Sequence, residues 1–398
     1  MNVYLVGGAV RDKLLGIPCK DNDWVVVGES SESMLTAGFD QVGTEFPVFL
    51  HPISKEEYAL ARTERKSGRG YKGFEVIADN SVSLEDDLSR RDLTINAIAE
   101  TPEGLIVDPF DGQGDLKRKL LRHISDAFVE DPLRVLRVAK FAARLKPHGF
   151  SVANETKLLM QKITASGELR DLTAERVWQE ISEGLSSQRP DIFISVLQTC
   201  GALTLILPEI DILFDTPHTP ESKTAISFGT ATLQSLRRAR ELKADLPTIY
   251  GTLLYNIGKQ RGNNQKPNLE LVEKIAKRLR VPKDCQQVAA LVNTYQGKLS
   301  RSKTLNAEEL LQFIDSLDAK RRPERLEKFF LACRANVTSS ENDPDYFLAQ
   351  TELIRTLIKK FNDIDWKTIL TDQNDKNRAI FITAKKLSIV SDHIAQHA

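Results

Sequence analysis

Before residue 125 the apolar positions come in short runs cut by glycine, proline and polar turns: Val3-Tyr4-Leu5-Val6, Trp24-Val25-Val26-Val27, Val48-Phe49-Leu50 and Leu105-Ile106-Val107. Short runs of β-formers between turn residues predict strands, here a sheet with flanking helices. After residue 125 the spacing changes. Residues 133–145, 155–163, 174–185 and 191–198 repeat apolar side chains at intervals of three and four, which predicts amphipathic helices. Gly201 and Pro208 break this second series, and Asp215-Thr216-Pro217-His218-Thr219-Pro220-Glu221 reads as a linker or loop. Helical spacing resumes at Thr224 and runs to the end, with interruptions near 261–267 and 339–344. The expected fold class is α+β, with a β-sheet head over 1–124 and helical regions over 125–208 and 209–398.

The first chemistry lies on the early strands. Val3-Tyr4-Leu5-Val6-Gly7-Gly8-Ala9-Val10-Arg11-Asp12 reads as strand, glycine turn and helix start, a turn that offers backbone N–H groups to phosphates. A short way on, Asp21 and Asp23 enter the run 24–27. Strand side chains alternate, so residues i and i+2 share a face. Two such carboxylates can hold Mg²⁺ ions roughly 4 Å apart for in-line phosphoryl displacement. Taken alone, Asp-Asn-Asp is also a good turn before a strand.

Two further motifs carry charge. Arg90-Arg91-Asp92 follows the acidic run Glu85, Asp86, Asp87. Adjacent arginines point differently, so one is expected to pair locally with a carboxylate while the other reaches a triphosphate; a surface salt-bridge cluster is the alternative. Glu130-Asp131-Pro132 opens a helix, since acidic residues and proline favour a first turn. Arg134, Arg137, Lys140/Phe141 and Arg144 then share one face of that helix. Such a face is either solvated or, with Asp131 beside Arg134, a set of acceptors and donors for a base edge.

In order, Leu5-Val6-Gly7-Gly8-Ala9-Val10-Arg11-Asp12, Asp21/Asp23, Arg90-Arg91-Asp92-Leu93-Thr94-Ile95-Asn96-Ala97 and Glu130-Asp131-Pro132-Leu133-Arg134 resemble the class II tRNA nucleotidyltransferases, the CCA-adding enzymes, in their gammaproteobacterial form. The resemblance is dense from Met1 to about Pro208 and thinner beyond. It implies a nucleotidyltransferase head, a helical neck and an RNA-binding body and tail. It implies Asp21 and Asp23 as catalytic Mg²⁺ ligands, and a nucleotide site at Gly8, Arg11, Arg91, Asp131, Arg134, Arg137 and Lys140. Asp131 and Arg134 would act as an amino-acid template for cytosine and adenine. Lys140 stands where the family commonly has Arg, keeping the charge without the planar fork. Asp92 and Asp108 are further carboxylates near the site, assigned to no metal.

Residues 61–72, with five basic residues among glycines and serine, match the family's flexible loop for the switch from C to A addition. The implied substrates are the tRNA 3′ end, CTP and ATP. Alternatives within the resemblance are an enzyme that adds only A, a poly(A) polymerase, or a non-catalytic RNA-binding protein. Gammaproteobacterial relatives often carry a His-Asp metal phosphohydrolase domain in the C-terminal half. Here Tyr255-Asn256 stands in place of His-Asp and Ser227 in place of an upstream histidine, and no histidine occurs between His218 and His393. Hydrolase activity of that kind is therefore expected to be absent.

Composition adds bounds. With 55 basic and 55 acidic residues among 398, no global field drives nucleic-acid binding, although local basic stretches such as Arg237-Arg238-Ala239-Arg240 and Lys320-Arg321-Arg322 could meet phosphates. Cys19, Cys200, Cys285 and Cys333 lack metal spacing and suit a reducing compartment. No apolar run approaches the ~20 residues of a membrane span, so a cytoplasmic protein without membrane contact, a monomer or weak dimer, is expected.

Overall fold

The computed structural model describes residues 1–19, 21–42, 48–66, 74–78, 80–217, 226–258, 268–336, 346–370 and 375–397. They form two compact units, Met1–Ile206 and Leu207–Ala398. Much of the expected loop 61–72, from residue 67 on, lies outside the described residues, as does most of the expected linker 215–221.

The first unit opens with β1 (Asn2–Val6), α1 (Gly8–Leu14), β2 (Asp23–Val27), α2 (Ser31–Thr36), β3 (Asp40–Val42), β4 (Val48–Leu50) and β5 (Glu57–Leu60). β6 (Thr63–Lys66) and β7 (Phe74–Ile77) pair apart from the main sheet. α3 (Leu84–Ser89), β8 (Ala99–Glu100), β9 (Ile106–Val107) and α4 (Gly112–Arg118) follow. The main sheet has seven strands in the order β3-β4-β5-β2-β1-β8-β9. It is mixed: β2 runs antiparallel to β1 and parallel to β5.

The unbroken apolar run of β2 follows from burial on both faces. Val25 packs with Val6, Ala61, Leu88 and Ala97, whereas Val26 packs with Met34, Phe39, Phe49 and Leu60. Each buried valine contributes about 1.5–3 kcal/mol, so neither face can turn to solvent cheaply. Asp23 lies two residues before Val25 and shares its face. That is the face on which α3 packs through Leu88, which brings the Arg-Arg-Asp motif and Asp23 to one side of the sheet.

The helical part of this unit matches the periodicity closely. β10 (Leu120–Leu121) pairs with β11 (Ser151–Val152), and between them runs α5 (Leu133–Leu145). α6 (Asn154–Ser166), α7 (Ala174–Ser186), α8 (Pro190–Thr199) and α9 (Ala202–Ile206) complete it. On α5, nine of the thirteen residues are buried, and those left over are Arg134, Arg137, Lys140 and Arg144. The helix is thus embedded against α7 and α8 with a single cationic stripe.

In the second unit every named element is helical: α10 (Pro208–Asp211), α11 (Phe228–Glu241), α12 (Leu246–Leu253), α13 (Leu269–Leu279), α14 (Lys283–Ser300), α15 (Ala307–Ser316), α16 (Pro323–Ala335), α17 (Tyr346–Asn362), α18 (Trp366–Ile369) and α19 (Asp375–His397). α12 is central, packed by α11, α14 and α16. The positions set apart in the sequence are absorbed into this packing. Ser227 Oγ accepts from the Thr230 N–H at 3.1 Å and caps α11. Tyr255 joins the aromatic core, and the buried Asn256 donates from Nδ2 to Thr232 Oγ1 at 3.1 Å.

Candidate active site

The turn after β1 sets the first wall. Gly7 has φ +67°, a conformation that costs a residue with a Cβ, and a Cβ there would lie 2.7 Å from Arg91 Nη1. The chain therefore enters α1 with Arg91 laid against its backbone. From α1, the buried Arg11 donates from Nε to Asp12 Oδ1 at 2.8 Å and from Nη1 to Asn96 Oδ1 at 2.6 Å. Burial lowers the Arg11 pKa, and Asp12 opposes that shift.

The sequence suggests that one of Arg90 and Arg91 pairs locally while the other reaches outward. The structure shows both braced by one carboxylate. Asp87, fully buried, accepts from Arg90 Nη2 at 2.6 Å on Oδ1 and from Arg91 Nη2 at 3.0 Å on Oδ2. The arginines stand three and four residues beyond Asp87, the spacing that returns a side chain to the same helical face. Burial alone would raise the Asp87 pKa, but the two guanidinium groups bring it below the usual carboxylate range.

Asp92 anchors the opposite wall. It accepts from Arg137 Nε at 2.8 Å on Oδ2, and from Asn96 Nδ2 at 2.8 Å on Oδ1. Burial pushes its pKa up, and Arg137 with Asn96 more than reverses this, to about 2. Arg11, Asn96, Asp92 and Arg137 thus form one continuous polar chain from α1 to α5. Asp108 serves the backbone instead. It accepts from the Gly112 and Gln113 N–H groups at 2.7 and 2.8 Å and holds the start of α4.

Asp131 closes the far end. Its Oδ1 accepts from the Leu133 N–H at 3.0 Å, and its Oδ2 from Arg176 Nη2 at 3.1 Å. Arg134 donates to the carbonyls of Ala127, at 3.2 Å, and of Arg90, and its guanidinium lies over the Phe128 ring. Lys140 turns elsewhere: its ammonium pairs with Glu180 and Glu183 on α7, both at 2.7 Å, and it does not line the cavity.

These elements enclose a cavity of about 540 Å³, the size range of a small-molecule site. Eight arginines line it against three aspartates, Asp23, Asp92 and Asp131, in a chain whose net charge is zero. Gly7, Gly8, Asn96, Leu133 and Phe141 complete its walls. Asp21 is exposed and not among the lining residues. Burial raises the Asp23 pKa, Arg91 partly offsets this, and Asp21 adds to the rise. A cationic cavity with two mutually repelling carboxylates at its edge is suited to a polyanion that arrives with a cation.

The geometry agrees with what the chain is similar to. A family model described as the poly A polymerase head domain matches residues 3–122, and one described as a probable RNA and SrmB-binding site of polymerase A matches residues 149–213. A multifunctional CCA protein of Aliivibrio salmonicida is 50% identical over 345 residues, which cover 84% of this chain and 85% of that protein. Another, of Vibrio vulnificus, is 46% identical over 381 residues, 94% of each chain. The chain belongs to the multifunctional CCA protein family. Solved CCA-adding enzymes share the fold: an apo form has TM-score 0.70 at 20% identity, covering 100% of this chain and 91% of that one. A complex with ATP has TM-score 0.68 at 21% identity, covering 98% and 86%.

Within this family frame the cavity draws on both matched segments, Asp23, Arg91 and Asp92 from the first and Arg176 from the second. Arg176 and the double role of Asp87 are not evident in the sequence motifs. A signal for Arg176 does exist. Arg176, Glu180 and Glu183 share a face of α7, and that face complements the Asp131-to-Arg144 stripe.

Proposed function

We propose that this cavity adds CCA to the 3′ end of tRNA from CTP and ATP, without a nucleic-acid template. The observation that carries the reading is the cavity itself: eight arginines facing inward beside the Asp21/Asp23 pair. The tRNA 3′-oxygen attacks the α-phosphorus of CTP twice and of ATP once. Each time a 3′-O–P bond forms, the bond to the β-phosphate oxygen breaks, and pyrophosphate leaves with the cationic wall around it. Arg91 and Arg137, with Gly8 and Arg11 beside them, contact the triphosphate.

Asp131 and Arg134 present an acceptor next to a donor. Cytosine and adenine each offer an exocyclic amine next to a ring nitrogen acceptor, whereas uracil and guanine reverse that order. One protein pair therefore accepts the two correct bases and rejects the other two. Lys140 stands behind this wall, paired with Glu180 and Glu183 on α7, and is not assigned a contact with the nucleotide.

The donor set suits Mg²⁺. Asp21 and Asp23 are hard oxygen ligands whose mutual repulsion a cation would relieve. Among the described residues no three His, Cys, Asp or Glu side chains gather, and Mg²⁺ commonly binds one or two carboxylates with substrate phosphates. When bound, the ion would lower the pKa of the attacking hydroxyl and offset charge on the transferring phosphate.

The division into a head over 1–124, a neck over 125–208 and a body and tail over 209–398 follows this reading. Ser227, Tyr255 and Asn256, now a helix cap and core residues, support the absence of His-Asp phosphohydrolase activity; metal-dependent hydrolysis of 2′,3′-cyclic AMP would count against it. No described helix is long and apolar enough to cross a membrane, and the tRNA substrate fits a cytoplasmic enzyme. Asp21→Ala and Asp23→Ala are expected to abolish incorporation of labelled CMP while tRNA is still retained on filters. Wild-type incorporation by either variant would overturn the assignment.

A further inference from the structure

We propose that the second unit holds a nucleotide site of its own, in a cavity between the 3₁₀ turn Ser302–Thr304, α15, α17 and α19, where His393 and His397 take the edge of a nucleobase and Lys303 its phosphate. The cavity has a volume of about 560 Å³, close to the 540 Å³ of the arginine-lined cavity in the first unit, and shares no residue with it.

Helical spacing puts the two histidines one turn apart on the same face of α19. Their ring centroids lie 4.3 Å apart, with planes inclined by 37°. Each Nδ1 is engaged, and its partner fixes what Nε2 can do. Lys360 Nζ lies 3.2 Å from His393 Nδ1. An ammonium has only donors, so this Nδ1 accepts and the proton of the neutral ring sits on Nε2. Burial, Lys360 and His397 all lower the His393 pKa, which favours that neutral ring. His397 Nδ1 lies 2.9 Å from the His393 carbonyl oxygen. A carbonyl only accepts, so here Nδ1 donates and Nε2 of the neutral ring is a bare acceptor. The helix therefore presents a donor beside an acceptor, the pattern every nucleobase carries along its edge.

The rest of the cavity fits the same ligand. Leu310, Leu353 and Ile394 give aliphatic surface for the faces of a base. Ser302 also lines the cavity; it is 1% exposed, and its Oγ has no hydrogen-bond partner among the described residues. A buried hydroxyl left unpaired is costly, and a ligand's sugar or base would satisfy it. The neighbouring Lys303 is exposed at the rim and supplies charge for a phosphate. Glu352, the acidic residue of the cavity, shares its charge with Arg355 at 3.8 Å. A metal ion does not fit. The His393 Nε2 lone pair is taken up by its proton, and among the described residues no three His, Cys, Asp or Glu side chains gather.

The test uses the full chain with isotope-labelled histidine and follows the imidazole resonances during titration with AMP, with tRNA and with inorganic phosphate. His393→Gln and His397→Gln assign the two signals. AMP or tRNA is expected to shift both, and to do so equally in Arg91→Ala, which impairs the cavity of the first unit. A shift with AMP identifies a free nucleotide as an occupant, and a shift with tRNA alone identifies an unpaired residue of the RNA. Ser302→Ala should weaken that binding by about five- to tenfold, the worth of one hydrogen bond, while CMP incorporation at saturating tRNA stays at the wild-type rate. Lys303→Gln, on an exposed residue, supplies the comparison should Ser302→Ala fold poorly. Because His393 is 8% exposed, a molecule that touches only the surface would shift His397 alone. That pattern, an equal response to inorganic phosphate, or no shift with either AMP or tRNA overturns the proposal. Unchanged affinity in folded Ser302→Ala and Lys303→Gln overturns it as well.

Discussion

Arg137 donates from Nε to Asp92 Oδ2 at 2.8 Å, tying α5 to the segment after α3 across 45 residues of sequence. Asp92 is almost fully buried while Arg137 keeps partial access to water. Removing one partner of a buried pair costs about 3–5 kcal/mol, and the exposure of Arg137 places this pair at the low end. Asp92→Ala is expected to lower unfolding free energy by about 3 kcal/mol in urea titrations and to raise the KM for both nucleotides, because Arg137 is then unmoored. A variant as stable as the wild type would show that the pair contributes nothing net.

The same pair predicts a pH dependence. The folded pKa of Asp92, about 2, lies below its ordinary value of 3.8. A carboxyl depressed by folding adds stability above its unfolded pKa and loses it as pH falls through the folded one. The contribution, about 2 kcal/mol, should therefore be complete above about pH 4 and fade between pH 4 and 2. Unfolding free energies of wild type and Asp92→Asn measured across that window should converge as the pH falls. A constant gap would place the ionisation elsewhere.

Gly7 and Gly16 allow a matched comparison. Both have positive φ, at +67° and +68°, but a Cβ at Gly7 meets Arg91 whereas one at Gly16 meets nothing within 4 Å. Backbone strain should destabilise both alanine variants, and Gly7→Ala the more, because its ψ of −123° lies outside the left-handed helical region that other residues occasionally adopt. Only Gly7→Ala should also raise the nucleotide KM, since Arg91 must move from the cavity wall. Equal KM changes in the two variants would remove Gly7 from the site.

Arg134→Ala is expected to relax the choice between correct and incorrect bases more than it lowers total incorporation. Its guanidinium is the donor of the proposed template and is oriented by the Ala127 and Arg90 carbonyls and the Phe128 ring. Misincorporation of UTP and GTP, counted by sequencing products, checks this. Undiminished selectivity would remove Arg134 from the template.

Local patterns carry much of this structure. The run 24–27 is β2 from Asp23 onward, and the residues read as a helix over 133–145 form α5 with those bounds. Both are set by nearest-neighbour physics: a strand buried on two faces is apolar throughout, and an embedded helix shows one polar stripe. The double pairing of Asp87 is hidden because adjacent arginines leave the backbone in different directions. Three- and four-residue spacing from a common carboxylate overrides that divergence. Arg176 is hidden for another reason. Its partner Asp131 is distant in sequence, and only the packing of α7 on α5 brings them within 3.1 Å.

The most direct measurement is the sequence that purified protein adds to a tRNA ending at its discriminator base, supplied with Mg²⁺, CTP and ATP and read at single-nucleotide resolution. The predicted product carries C, C and A, with extension stopping at the third residue, and only C residues when ATP is withheld. A long A tail, or a lone A added only to a tRNA already ending in CC, would contradict CCA addition by this chain.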